Sequence, residues 1–282
     1  FHTSRWDYDY TGGDADGAPL DKLGDKRVAL IGTGATAVQC VPHLARSAGE
    51  LFVFQRTPSS VDERNNHAID PDWFAATATP GWQQRWLDNF VENQSRGLPT
   101  EDLVDDGWTE ISRRIREKLF AMPNNDWSPQ AMLAAFEDAD FEKMEQIRAR
   151  VDAVVQDAET AQSLKAWYNQ LCKRPCFHDE YLDAYNTPNA RLIDTDGKGV
   201  ERITETGVVA NGKHYDVDCI IYASGFEVGS QYTSRAGFDL KGRGGKLLSE
   251  HWANGMRTLR GLHLHGFPNA FSVPPSPAAN RL

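Results

Sequence analysis

The chain has 282 residues, 40% of them hydrophobic and 25% charged, and a formal net charge of −10 at pH 7. That is length enough for one large or two modest domains with real cores, and too apolar a composition for a disordered chain. The acidic balance argues against a nucleic-acid partner and against an anionic membrane surface, so an anionic cofactor needs a local pocket of Arg and Lys. The four cysteines, Cys40, Cys172, Cys176 and Cys219, lack metal-ligand spacing and read as buried free thiols in a reducing, cytoplasmic compartment. The longest uncharged run, Val28 to Ala45, is interrupted by Gly32, Gly34, Gln39 and Pro42 and does not read as a membrane span.

In chain order, His2-Thr-Ser-Arg-Trp6-Asp7 comes first, either as cofactor contacts in a hinge or as a packed surface cluster. Residues 11–25, rich in Gly, Asp and Pro, form a connector. Residues 26–58 predict a β-α-β unit. Val28-Ala-Leu-Ile31 is a buried strand, Gly32 allows the tight turn out of it, and Gly34 leaves room for a pyrophosphate against the backbone. Thr33, Ala35 and Thr36 complete the turn. Ala37 lets the next helix pack close to the sheet with its free N–H groups aimed at the phosphates. Pro42 predicts a kink or an early stop in that helix. By itself this glycine pattern fits FAD, NAD or NADP. The second strand, Leu51-Phe-Val-Phe54, separates them: an NAD or FAD site ends it with an acid for the ribose hydroxyls. Here it ends Gln55-Arg56-Thr57, and a cation with a hydroxyl suits a 2′-phosphate, while Glu50 lies at the wrong end of the strand. The competing reading is a strand–helix turn that binds nothing, with Arg56 a solvated charge.

From Val61 to Gln170 the pattern predicts a helical insertion far longer than an ordinary connection. Trp73, Trp82, Trp86, Phe90, Trp108, Ile111, Ile115 and Leu119 recur at helical intervals, as do Phe141, Met144, Ile147, Val151 and Val154. Core packing is the first reading of these residues and a substrate-cavity lining the second. Pro80, Pro99, Pro123 and Pro129 separate the helices. Lys173-Arg174-Pro175 follows a helix expected to end near Leu171. The Lys there is placed to share the 2′-phosphate and the Arg to stabilise an anion at a redox centre, or both simply cap a helix dipole. His178-Asp179-Glu180 reads as the acidic first turn of a helix carrying Tyr181, Leu182 and Tyr185. Strands are expected at 190–193, 200–204 and 207–209, with a buried one at Cys219-Ile-Ile-Tyr222. His263 and His265 share one face of an expected strand, but no third ligand is evident, so no metal site is expected. The last sixty residues are Gly-rich and end in a Pro-rich stretch. The fold class expected is α/β, a Rossmann-like domain made discontinuous by the helical insertion.

Taken together, these segments resemble the flavin-dependent class B monooxygenases, most closely the Baeyer–Villiger type. His2 through Trp6-Asp7 resembles the second half of that family's fingerprint. Gly32-x-Gly34-x-x-Ala37 resembles its NADPH-binding turn, and Phe54-Gln-Arg56-Thr57-Pro58 its 2′-phosphate segment. Lys173-Arg174-Pro175 resembles the segment with an NADP-selective Lys and a catalytic Arg. Asp218-Cys-Ile-Ile-Tyr-Ala223-Ser224-Gly225-Phe226 resembles the passage back to the flavin domain, with Ser224 where the family carries Thr. The resemblance implies NADPH and FAD as cofactors, and a small-molecule ketone and O₂ as reactants. NADPH would reduce the flavin, and one oxygen atom of O₂ would enter the ketone to give an ester or lactone. It places Gly32, Thr33, Gly34, Ala35, Thr36, Ala37, Gln55, Arg56, Thr57, Lys173, Ala223, Ser224, Gly225 and Phe226 among the cofactor-binding residues. Arg174 is the expected catalytic residue, and His2, Trp6 and Asp7 the hinge. The organisation implied is a fingerprint and linker at 1–25, an NADPH-binding domain at 26–60 and 171–222, the insertion at 61–170 and part of a flavin domain at 223–282. The family's earlier glycine-rich unit for FAD is not in the sequence, so the chain is expected to be an internal portion with an incomplete FAD site. Oxygenation of sulfur or nitrogen, or a non-catalytic NADP-binding module, are the alternatives.

Overall fold

A computed structural model describes residues 1–94, 101–122, 128–226, 233 and 236–272. Pro99, Pro123 and the Pro-rich stretch 273–282 lie outside the described residues. The chain divides into two units, Phe1–Ser224 and Gly225–Leu282. In chain order the first begins with α1 (Tyr8–Thr11), β1 (Arg27–Ile31), α2 (Ala35–Ser47), β2 (Glu50–Gln55) and β3 (Val61–Asp62). The helices α3 (Pro71–Thr77), α4 (Trp82–Gln94), α5 (Gly107–Ala121), α6 (Pro129–Val154) and α7 (Ala158–Leu164) follow. The chain then returns through β4 (Cys176–Phe177), β5 (Ala190–Asp194), β6 (Arg202–Ile203), β7 (Gly207–Ala210), β8 (Lys213–Asp216) and β9 (Cys219–Tyr222).

Strict alternation along each strand builds the central sheet. Its order is β5-β2-β1-β9, and every pairing is parallel. Val28 and Leu30 of β1, Leu51 and Val53 of β2, and Ile221 of β9 enter one core, where Ala37, Val38, Val41 and Leu44 of α2 cover them. The intervening residues Ala29, Phe52 and Phe54 face the other way, onto Val208, Ala210 and Tyr215 of the antiparallel sheet β6-β7-β8. A one-residue slip in any strand would exchange the two faces, so the register is firmly specified. β9 is less buried than the sequence suggests: only Ile221 is buried, and the neighbours on its strand are half-buried. Beyond β9 the chain adds a bridge from His2 to Tyr222, and Asp218 grips Arg27 through both its guanidinium and its backbone N–H.

Pro42 neither stops nor ends α2, which runs on to Ser47. The proline removes one backbone donor, a cost of about 3 kcal/mol in a helix interior, but Val38, Val41, Pro42 and Ala45 are all buried on the sheet, and that packing outweighs the loss. The helix expected to end near Leu171 ends instead at Leu164, and only a 3-10 turn, Gln170–Cys172, precedes Lys173. His178 to Tyr185 is not a helix; a turn leads into a 3-10 segment, Asp183–Asn186. The Asp179 carboxylate is used elsewhere, accepting from the backbone N–H groups of Arg64, Asn65 and Asn66. Of the four cysteines only Cys176 is buried; Cys172 is exposed, and Cys40 and Cys219 are half-buried.

Between β3 and β4 the chain makes its helical excursion, and the two short strands pair in parallel to close its base. Pro129 does not merely separate helices: with Ser128 as N-cap it starts α6. Met144, Ile147 and Val151 are buried along α6, whereas Phe141 is 61% exposed. Trp73 and Trp82 each pack edge-to-face on Trp86, with Trp73 still 49% exposed. Lys143 is buried and ion-paired to Asp62 and Glu110, which ties α6 to β3 and α5. Arg150 of α6 donates to the carbonyls of Val61 and His178, on the two sides of that closure.

In the second unit, Leu248, Leu264 and Phe267 form a small core around the short helix Leu248–His251. The strand expected at 263–265 is absent there. His263 makes isolated bridges to Leu259 and Phe271 only. Among the described residues no helix is long and apolar enough to cross a membrane.

Gly32 sets the exit from β1. Its φ is +116°, and a Cβ there would lie 2.4 Å from the carbonyl oxygen of Ala223. Gly32→Ala therefore combines an unfavourable backbone conformation with overpacking, and is expected to cost about 2–5 kcal/mol of stability. Urea unfolding followed by circular dichroism measures it, with Gly34→Ala, where a Cβ meets nothing within 4 Å, as the mild control.

Candidate functional site

Every sequence-expected phosphate contact lies at the carboxyl end of the parallel strands. The switch point of the sheet is β1, since the chain leaves it through α2 to β2 on one side and returns as β9 on the other. Ligands of open α/β sheets bind at this crevice. The first residue of α2 follows Gly34, the N-cap, which supplies no side-chain hydrogen bond, so the first N–H groups of α2 have no capping side chain. The space where a Gly34 Cβ would stand is open. Ala37 is completely buried in the core beneath, which lets α2 lie close to the sheet. A diphosphate fits this cradle by charge and by room. Ala35 and Thr36 in the first turn are half-buried, and Thr33 is buried, its hydroxyl donating to the Thr57 carbonyl at 2.9 Å. Ser59 returns a bond from its hydroxyl to the Thr33 carbonyl, so the turns after β1 and β2 are locked to each other.

Beside the cradle stand Arg56 and Lys173. Lys173 Nζ donates to Thr57 Oγ1 at 2.6 Å and reaches the Pro58 carbonyl at 3.4 Å. Burial first, and the positive charge of Arg56 second, push the Lys173 ammonium below the ordinary lysine pKa. Lys173 sits on the Thr57 hydroxyl within the electrostatic reach of Arg56, and among the described residues neither cation has a carboxylate within ion-pair distance. Such a pair is uncomfortable without an anion and suits a phosphate. Gln55 behaves differently. Its side chain is fully buried, and its amide donates to the Ser163 carbonyl at 2.7 Å. Its backbone carbonyl accepts from Thr195, which steadies the turn that carries Arg56.

Arg174 faces an open cleft of about 750 Å³, walled by Ala35, Val38 and Gln39 of α2 on one side and by Trp108 and Phe177 on another. Lys173 and Thr57 are not in its lining, so the two adjacent cations serve different spaces. Arg174 has no carboxylate partner among the described residues. The dipole-capping alternative loses its helix, because only a three-residue 3-10 turn precedes these cations. His178 also lines the cleft; burial lowers its pKa, and its Nδ1 accepts from the Glu180 N–H, which requires a neutral ring nitrogen there.

No family model matches the chain. Curated relatives do. The chain is 57% identical to a neopentalenolactone D synthase of Streptomyces avermitilis over 96% of its own length and 46% of that protein's. It is 54% identical to a Baeyer–Villiger monooxygenase of Stachybotrys chlorohalonatus, over 95% of this chain and 43% of that one. Among solved structures, a polycyclic ketone monooxygenase from Thermothelomyces thermophila superposes with a TM-score of 0.85 at 41% identity, covering 98% of this chain and 45% of the other. The chain is similar to Baeyer–Villiger monooxygenases along nearly its whole length. It spans about half the length of the curated relatives it matches. A further member of known structure, OTEMO in complex with FAD and NADP, matches at 27% identity and a TM-score of 0.68, over 97% of this chain and 50% of that one.

The residues expected at the hinge lie together at the edge of the sheet. His2 caps a 3-10 turn, Trp6 donates its indole N–H to the Thr11 hydroxyl, and Asp7 caps α1 through the Tyr10 N–H. Ala223 is buried and its N–H donates to the Ile31 carbonyl, placing it against Gly32; Ser224 beside it is exposed. Gly225 and Phe226 open the second unit, where Phe226 is 69% exposed. Sequence reasoning missed Trp108, Phe177 and Arg64 as cleft residues. Trp108 had been noted as a helical-period aromatic, but nothing in its spacing separates a wall from a core.

The cation pair generates two predictions. Arg56→Ala is expected to weaken NADP⁺ binding by the worth of one charge-assisted contact, about 1.5–3 kcal/mol or roughly ten- to hundredfold, and to leave NAD⁺ binding nearly unchanged. Isothermal titration with both coenzymes measures it, and equal losses would remove Arg56 from the 2′-phosphate. The second concerns pH. Lys173 is depressed in the free protein, and a bound dianion raises its pKa, so binding takes up a proton between those two values. Affinity for 2′,5′-ADP is therefore level below the free-state pKa, falls with rising pH through the window, and levels again above the bound-state value. Titrations from about pH 8 to about pH 11 trace that fall, and Lys173→Ala is expected to flatten it.

Proposed function

We propose that this chain is the NADPH-binding portion of an NADPH- and FAD-dependent monooxygenase that inserts one oxygen atom of O₂ into a ketone, giving an ester or lactone. The observation that carries this reading is Lys173 seated on Thr57 within the field of Arg56, beside a helix N-terminus with no capping side chain, in a chain similar to these monooxygenases along nearly its whole length. In it, residues 26–60 and 171–222 hold the coenzyme, 61–170 are the helical insertion, and 223–282 contribute part of the flavin domain. The α2 N-terminus and the Gly34 backbone hold the diphosphate. Arg56, Thr57 and Lys173 hold the 2′-phosphate. Bound flavin supplies the hydride acceptor and the activation of oxygen. Arg174, pointing into the cleft beside the first turn of α2, orients the nicotinamide end and offsets negative charge that develops there. Its planar fork allows two contacts at once, which a lysine does not. His2, Trp6 and Asp7 form the hinge between the two nucleotide-binding regions. The four free cysteines support a reducing, cytoplasmic setting.

Among the described residues there is one strand–glycine turn–helix cradle, and the cations beside it support its reading as the NADPH site. The chain is accordingly expected to bind NADP⁺ in preference to NAD⁺, and to emerge from gel filtration without stoichiometric FAD after incubation with excess flavin. A flavin peak travelling with the protein would overturn the assignment. In the complete enzyme, Arg174→Ala is expected to keep NADPH binding and NADPH oxidation while ester formation is lost and hydrogen peroxide appears instead. Product analysis against NADPH consumed gives the ratio, and an unchanged ester yield would return Arg174 to an ordinary surface cation.

A further inference from the structure

The helical insertion reaches the turn beside the coenzyme cradle through the side chain of Tyr168. Its ring packs against Met144 and Ile147 of α6 and against Ala166, the small core of the insertion's last turn. The same ring lies under the Lys173 ammonium, with Nζ 4.6 Å from the ring centroid. Its hydroxyl donates to the Pro58 carbonyl at 3.1 Å and accepts from the Ser60 N–H at 2.9 Å. Those two backbone groups bracket the turn that leaves β2 just after Arg56 and Thr57. Pro58 O is also within reach of Lys173 Nζ. One half-buried tyrosine thus touches the ammonium, the turn that carries Thr57 and the core of α6.

We propose that Tyr168 is a positioning residue for coenzyme selection, setting both the Lys173 ammonium and the Thr57 turn in the arrangement that receives a 2′-phosphate. The proposal rests on the coenzyme reading above. Lysine has four rotatable bonds, and its ammonium is drawn away from Arg56 by like-charge repulsion. The face of the tyrosine ring offers the cation a favourable seat that is not an anion, so the charge stays available to phosphate. The hydroxyl fixes the height of the turn above that seat. Through Met144 and Ile147, the packing of α6 bears on the choice between NADP and NAD.

A double-mutant cycle on the full chain tests this. Dissociation constants for NADP⁺, NAD⁺ and 2′,5′-ADP are measured by isothermal titration for wild type, Tyr168→Leu, Tyr168→Phe, Lys173→Ala and both Tyr168 variants combined with Lys173→Ala. Tyr168→Leu is expected to weaken NADP⁺ and 2′,5′-ADP about three- to thirtyfold, and NAD⁺ hardly at all. Tyr168→Phe, which keeps the ring under the ammonium, is expected to recover most of that loss. In the Lys173→Ala background the Leu substitution is expected to add little, because the ammonium it positions is gone. Equal losses for NADP⁺ and NAD⁺, or losses that simply add to those of Lys173→Ala, overturn the proposal and leave Tyr168 a packing residue. If Tyr168→Leu fails to fold by circular dichroism, the Phe cycle decides alone. A larger loss of NADP⁺ affinity with Lys173 present than without it supports the proposal, and equal or absent losses overturn it. Arg56→Ala, run alongside, separates the two levels: no effect there means the 2′-phosphate reading has failed, whereas a normal effect with an inert Tyr168 means only this proposal has.

Discussion

The arrangement of the cradle depends on a place where there is no room for a β-carbon. Gly32 passes so close under the carbonyl of Ala223 that only hydrogen fits, and it does so with a backbone conformation that a side chain disfavours. That approach is what lets β1 and β9 end side by side while the chain turns sharply into α2. The N-terminus of α2 is thereby aimed across the carboxyl ends of the strands, and Ala37 sinks into the core below. The steric constraint at one residue fixes where the helix's positive end points. The bonds from Thr33 and Ser59 then carry the same constraint to the turn after β2.

Electrostatics works against the overall charge of the molecule at this spot. Several cations elsewhere are answered by acids: Arg27 by Asp218, Lys143 by Asp62 and Glu110, Arg148 by Glu145. Arg56, Lys173 and Arg174 are not so answered among the described residues, although acidic residues outnumber basic ones by 40 to 30. Local consistency is broken here in the way expected of a site that awaits an anionic ligand. The buried Lys143 cluster is a different matter. Its desolvation cost consumes much of its Coulomb gain, so it is better understood as fixing where α6 sits than as a source of stability.

Much of the fold was legible because it is written in short-range chemistry. Alternating apolar residues in β1 and β2, the glycine turn and the buried Ala37 sit within thirty residues of one another, and each has a single structural solution. The cations Arg56 and Lys173 were legible as residue types. That they share one phosphate was one reading of the residues, with helix-dipole capping the other, because a long stretch of chain separates them; the seat of Lys173 on Thr57 was not legible. What failed to show was long-range. Asp179 looked like a helix-starting acid, but it spends its carboxylate on the loop 64–66. Pro42 carried a helix-breaking signal that tertiary burial overrode. Strands of two residues, such as β3 and β4, have too little sequence to display a period. Tyr168 was invisible for the same reason as Trp108: an aromatic looks alike in sequence whether it fills a core or supports a site.

The topology of the sheet also sets an order of assembly. β1, α2 and β2 are contiguous, so their contacts close short loops. The other neighbours of these strands arrive late in the sequence. Thr195 at the end of β5 bonds to Gln55 across 140 residues, and Asp218 bonds to Arg27 across 191. Loop-closure entropy makes such pairings slow, and a sheet that depends on them waits for the intervening chain. Until β5 and β9 dock, both edges of the β1–β2 pair are open and apolar on each face, a template for pairing with the wrong chain. The parallel closure of β3 on β4, by holding the ends of the helical excursion together, shortens the effective distance that β5 must travel. The same small ladder that shapes one wall of the cleft therefore also acts as a folding splint.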